Sequence, residues 1–241
     1  MVRVSRFSLL LAVFSFLTAF TALYAQGGAD DVKHKFAPIN TAIPSLSIAP
    51  DARGGAMGDN GVATTPDVNS QYWNPAKYPF TISRAGVAVS YTPWLRKLVN
   101  DIDLAYLAGY YRIGDYQAVS GSLRYFSLGE VQESRDGGMG NQLILNPYEM
   151  AFDVSYSRKL SDVFSMAVAL RYIRSDMGAS SDADMVPDNA FAADIAGYLE
   201  KYVILGNSEC LWSFGFNVSN IGTKVSYDGG NTNQFLPTML K

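Results

Sequence analysis

The chain has 241 residues, a formal net charge of −3, 48% hydrophobic residues and 17% charged residues. A near-neutral chain gives no basic face for nucleic acid. The single cysteine, Cys210, excludes an intrachain disulfide framework, and with the single histidine, His34, it leaves no His/Cys metal site, so no metal or cofactor is expected.

Arg3 and Arg6 precede an uncharged apolar run from Phe7 to Leu23, and Ala25 then closes a small-residue cleavage site. Residues 1–25 read as a secretory signal peptide, with an uncleaved anchor as the alternative. No cysteine stands directly after the run, which argues against a lipoprotein. No later segment approaches the ~20 apolar residues of a membrane-spanning helix. An exported chain of this composition is a soluble β protein or a transmembrane β-barrel. Residues 26–80 read as an irregular lead-in followed by a plug segment. Prolines 38, 44 and 50 keep its first part extended, and the stretch from Asp51 to Phe80 combines Gly, Asn and Asp with Tyr72, Trp73, Tyr78 and Phe80. "GGAMGDNG" resembles a phosphate-cradling loop only superficially, because no Gly-Lys-Ser/Thr ending follows it. Its glycines are expected to permit tight turns in a crowded interior.

From Ile82 onward, in the expected barrel segment 81–241, the hydrophobic period becomes two. Val87/Val89/Tyr91, Leu104/Tyr106/Ala108/Tyr110 and Val119/Leu123/Tyr125 each mark one face of a strand. Phe152/Val154/Tyr156, Val168/Leu170/Tyr172, Phe191/Ala193/Ile195 and Trp212/Phe214/Phe216 mark four more. These roughly seven strands are mostly about ten residues long, the length that crosses a bilayer when tilted. Soluble sandwiches use shorter ones. Connections alternate: a long one at 92–100, a short one at Ile113–Asp115, then long at 128–147, short near Arg158–Asp162, long at 175–189 and short at Gly206–Glu209. Outer-membrane barrels alternate long extracellular loops with short periplasmic turns in the same way.

One face of each strand is apolar. The other is small and polar with isolated charges at Arg84, Asp103, Arg124, Asp153, Arg171 and Asp194, the pattern of a watered interior. A turn at Ile113–Gly114 would set Asp103 opposite Arg124. A tight turn after Tyr156 would set Glu149 near Arg171. Both are expected as interior ion pairs. Asp176, Asp182, Asp184 and Asp188 in the third long loop match no Ca²⁺ spacing and read as a solvated acidic loop.

The stretch "PDARGGAMGDNGVATTPDVNSQYWNPAKY" resembles the opening of the FadL-like outer-membrane barrels, and within them the PorV branch of the type IX secretion system. Ala52, Arg53, Ala56, Met57, Gly58, Gly61, Ala63, Asp67, Trp73, Asn74, Pro75 and Ala76 carry the match, and "NVSNIGTKVSY" supports it further on. The resemblance implies an all-β, fourteen-stranded antiparallel transmembrane barrel with an N-terminal lumen plug, in the cell outer membrane. Against about seven strands countable here, it implies a sequence truncated at its C-terminal side. Asp51, Arg53, Met57, Gly58, Asp59, Trp73, Asn74 and Pro75 are the expected plug motif.

The resemblance also implies a function. PorV-like proteins bind the C-terminal signal domains of exported cargo at the translocon. They carry that cargo to a surface sortase and attachment complex. The partners would be cargo, sortase, translocon proteins and the lipid bilayer, and binding would use the long loops, with Trp94, Leu95, Met139, Met177 and Met185 as candidate apolar contacts. Trp94 alternatively belongs to an interfacial aromatic belt. The second reading is a FadL-type transporter of hydrophobic small molecules, which needs an apolar interior pocket. An enzyme is not expected, since His34, the one candidate base, lies in the lead-in far from any strand.

Overall fold

A computed structural model describes residues 41–94, 101–134, 142–178 and 186–241. The expected signal peptide lies outside the described residues. So do Leu95, Met139 and Met185.

Eight strands form one antiparallel sheet in the order β1-β2-β3-β6-β7-β8-β9-β12. They are β1 (Ala85–Pro93), β2 (Ile102–Ile113), β3 (Gln117–Leu128), β6 (Tyr148–Ser161), β7 (Phe164–Asp176), β8 (Asp188–Leu205), β9 (Ser208–Gly222) and β12 (Met239–Leu240). Two small hairpins, β4 (Val131–Ser134) with β5 (Gln142–Leu145) and β10 (Lys224–Val225) with β11 (Gln234–Phe235), sit in the connections after β3 and β9. The fold is all-β, and the sheet curls around residues 41–80. No helix among the described residues is long and apolar enough to cross a membrane.

The period-two pattern sorts the wall as sequence patterning predicts on most strands. Val87, Val89 and Tyr91, Val119 and Leu123, Phe152, Val154 and Tyr156, and Val168 and Leu170 are exposed on the outward face. Arg124, Asp153, Arg171 and Asp194 are buried on the inward face. β2 reverses the expectation: Leu104, Tyr106, Ala108 and Tyr110 face inward, and Leu107 and Tyr111 outward. The cause is local. Tyr106 and Ala108 form one cluster with Tyr72 and Trp73, and Tyr110 stacks on Tyr78 at 4.7 Å. The inward face is therefore apolar there, and Asp103 sits on the outward face, accepting a hydrogen bond from Tyr91 at 2.7 Å.

Both expected ion pairs are corrected by register. Ile113 pairs with Gln117, so the turn is centred on Asp115, which sets Asp103 opposite Ser127 and Arg124 opposite Tyr106. The offset is an odd number of residues, so it also puts the two side chains on different faces. β6 runs on to Ser161 before turning, which sets Glu149 opposite Ser175 and Asp153 opposite Arg171. Arg84 is corrected as well. It is exposed at the foot of β1, with its guanidinium 5.4 Å from the outward ring of Tyr111.

Candidate functional site

Residues 41–80 contribute no strand to the main sheet, and their side chains and backbone are tied to its inward face. The segment starts at the loop end, where Ala42 N–H donates to the Phe235 carbonyl at 2.9 Å. Ala42, Ile43 and Leu46 there join Val225 and Leu236 of the last loop and Ala151, Ile173, Ala190 and Ala192 of the wall in one buried cluster. A short 3₁₀ turn (Pro44–Ser47) follows, then α1 (Ala52–Ala56), α2 (Ser70–Trp73) and a second 3₁₀ turn (Pro75–Phe80) that ends at the foot of β1.

The motif residues fold this segment through specific bonds. Asp51 caps α1 by accepting from Gly54 N–H at 2.7 Å, and its other oxygen accepts from the Trp73 indole at 2.6 Å. The indole is thereby tied to the start of α1, 22 residues earlier. Its ring lies between two glycines. A Cβ on Gly54 or on Gly61 would come within 2.4 Å of ring atoms. Gly58 and Asp59 adopt positive φ at the end of α1, the turn that glycine was expected to supply. Arg53 holds the following loop by bonds to Asp67 at 2.5 Å and the Thr65 hydroxyl at 2.7 Å. Asn74 caps the second 3₁₀ turn, with Pro75 at its first position, and donates to the Val62 and Gly197 carbonyls. Met57 is half exposed and makes no comparable anchor.

Residues not singled out by sequence do much of the joining. The Gln71 amide donates to Asp153 and accepts from the Ser120 and Ser155 hydroxyls, linking the plug to β3 and β6. Asn217 on β9 donates to the Trp73 carbonyl at 3.0 Å. Ser165 on β7 donates to the Ala76 carbonyl. Lys77, fully buried, donates to the Gly61 carbonyl at 2.8 Å and the Thr64 hydroxyl at 3.1 Å, and burial pulls its ammonium down to about 8. Burial also raises the Tyr72 and Tyr78 phenols above their ordinary value. A lone Gln, Lys or Asn in an irregular segment gives no periodic signal, so only the Asn217–Asn220 part of "NVSNIG" stood out in the sequence.

The interior charges form one cluster. Arg171 reaches Asp153 at 3.4 Å and Asp194 at 2.9 Å, and also donates to Asn220. Arg124 donates to the Ser45 carbonyl and lies 4.8 Å from the Tyr72 ring centre, with the Lys241 ammonium 3.7 Å from the same ring. Glu149 accepts from Ser45 N–H at 3.3 Å. The cavity left among Tyr72, Tyr106, Arg124 and Arg171 is about 10 Å³, room for a single water.

Larger hollows lie elsewhere, two of them of note. One of about 740 Å³ involves Val87, Tyr111, Val119, Phe152, Val154 and Leu170, outward side chains that suit lipid contact better than a ligand site. The other, about 480 Å³, opens at the loop end between plug residues Ile48, Ala49, Ala52 and Ala56 and the β1 end at Thr92 and Trp94. Trp94 is 36% exposed there, and its backbone N–H donates to the Ile102 carbonyl. Met177, half-buried, follows β7 at the same end of the sheet.

A family model described as "Type IX secretion system protein PorV" matches residues 31–241. No curated protein matches the chain.

Proposed function

The chain belongs to the PorV family of type IX secretion system proteins, and from that membership we propose that it is a non-catalytic outer-membrane carrier for exported proteins. In this reading the long-loop end faces outward and binds the C-terminal signal domain of cargo leaving the translocon. The carrier then presents that cargo to the surface sortase and attachment complex.

The observation that carries the reading is the contrast between interior and rim. Between the plug and the inward face of the described wall, the cavity lined by Leu46, Tyr72, Tyr106, Arg124, Asp153 and Arg171 is only about 10 Å³. The loop-end cleft, of about 480 Å³, is open and carries the partly exposed Trp94. A small-molecule transporter needs an apolar pocket inside, whereas a carrier needs an accessible anchor at its mouth. Trp94 beside Ile48 and Ala49 supplies such an anchor.

The test is site-specific photo-crosslinking in the full-length protein. A photoreactive residue at Trp94 is expected to capture exported proteins that retain their C-terminal signal domain. The same residue at Tyr116, in the turn at the opposite end, is expected to capture none. Purified protein that brings fatty acid instead, with no cargo at either position, would move the assignment to the transporter.

A further inference from the structure

A charge on a face that meets hydrocarbon is costly, so the few charges that do face outward mark the edges of the apolar band. At the short-turn end, the outward-facing cations of the described strands are Arg158 and Lys201, both exposed. Arg84 joins them at the foot of β1, 5.4 Å from the outward Tyr111 ring. Lys201 stands directly opposite Trp212, which is 57% exposed. Arg158 follows the outward Tyr156 by two positions on the same face of β6. Each cation is thus accompanied by an outward aromatic.

Of the carboxylates at that end, Glu200 and Glu209 belong to the inward face. Asp115 lies 3.6 Å from Arg112 and Asp162 is in the β6–β7 turn. Glu200 accepts from the inward Tyr198 hydroxyl at 3.0 Å, and Glu209 is opposite Ile204 on the inward side of the β8–β9 hairpin. At the loop end the outward face instead carries Asp103 and Asp176 beside Arg174. The two rims differ in sign.

We propose that the short-turn rim is a binding surface for the phosphate headgroups of anionic phospholipid, seated by Arg84, Arg158 and Lys201. Tyr111, Tyr156 and Trp212 lie at the level where amphipathic rings prefer the membrane interface. Long basic side chains reach past the apolar band to the phosphates. Charge complementarity selects this occupant, because a zwitterionic headgroup offsets its phosphate with its own cation, whereas an anionic one leaves that charge to Arg84, Arg158 and Lys201. The proposal rests on the outward face being the bilayer face.

Full-length protein is reconstituted in phosphatidylcholine alone or mixed with phosphatidylglycerol, and retained lipid is counted by native mass spectrometry. Each basic side chain near an anionic surface is worth about fivefold, so wild type is expected to prefer phosphatidylglycerol by roughly tenfold or more, less at high salt. The variant carrying Arg84→Gln, Arg158→Gln and Lys201→Gln is expected to insert and melt like wild type and to lose the preference. Arg158→Gln and Lys201→Gln alone should each lose part of it. Wild type without preference, or variants that keep it, would overturn the proposal. Failure of wild type to insert into either lipid would overturn the bilayer-facing reading itself.

Discussion

Trp73 depends on what two glycines lack. Gly54 and Gly61 flank the indole so closely that a methyl on either would enter it, while nothing lies within 4 Å of the position a Cβ on Gly55 would take. Gly54→Ala and Gly61→Ala are each expected to destabilise plug docking by about 1–3 kcal/mol, the cost of overpacking. Gly55→Ala, in the middle of α1, is expected to be neutral or stabilising by up to about 1 kcal/mol. Trp73 fluorescence during denaturant titration in detergent distinguishes them, and equal effects at all three glycines would contradict the packing argument. Lys77 adds a pH dependence. Its folded-state value of about 8 lies below the ordinary lysine value of 10.5. Between those values the unfolded chain holds a proton that the folded one has released, so stability rises as pH rises from about 8 toward 10.5, by at most about 3 kcal/mol. Tyr72 and Tyr78 act with the opposite sign, because their values are raised by burial. Their contribution is whole below about pH 10 and is lost as pH climbs toward their folded-state values. Plug stability should therefore peak near pH 9–10, and Lys77→Met should reduce the rising limb. A wild-type profile flat from pH 8 to 10 would refute the assignment.

At the level of elements, the β6–β7–β8 triplet is held by one guanidinium between two carboxylates. Arg171→Ala leaves Asp153 and Asp194 buried without their cation and is expected to cost about 3–5 kcal/mol. Combining Arg171→Met with Asp153→Asn and Asp194→Asn should recover much of that loss, measured by thermal unfolding in detergent. A triple variant as unstable as Arg171→Ala would show that the cluster matters through shape and not charge. The sequence shows that these charges face inward, because alternation alone determines it. Which of them meet depends on turn centres, and those were legible only to within a few residues. Moving the β2–β3 turn from Ile113–Gly114 to Asp115 changed every partner of Arg124. β2 itself was misread because both its faces are apolar, and the plug that makes the inward one apolar is a tertiary fact. The plug motif was legible through Trp73, Asn74 and Pro75. Gln71 and Lys77, which act through single contacts, were not.

For the molecule as a whole, the question is whether the plug moves. It is bonded to the wall from β3 round to β9, through Gln71 to Ser120 and Asp153, Ala76 to Ser165, Asn74 to Gly197 and Trp73 to Asn217. Each such bond is buried, and leaving a buried partner unsatisfied costs about 1–3 kcal/mol, more where a charge is involved. Withdrawing the plug as a unit would break all of them, so a gate that opens in every transport cycle is energetically remote from this arrangement. A carrier that binds cargo at its loop end has no need of the movement. Ala76 and Ser165 are neighbours through their hydrogen bond and offer a place to lock plug to wall. In a Cys210→Ser background, Ala76→Cys with Ser165→Cys is the pair to oxidise, and closure of the disulfide is checked first by a reductant-sensitive gel shift. Cargo attachment at the cell surface is expected to continue at the wild-type rate with the lock closed. Attachment that stops on oxidation and resumes on reduction would mean that the plug moves during the cycle, and the interior would then return as a route for transport.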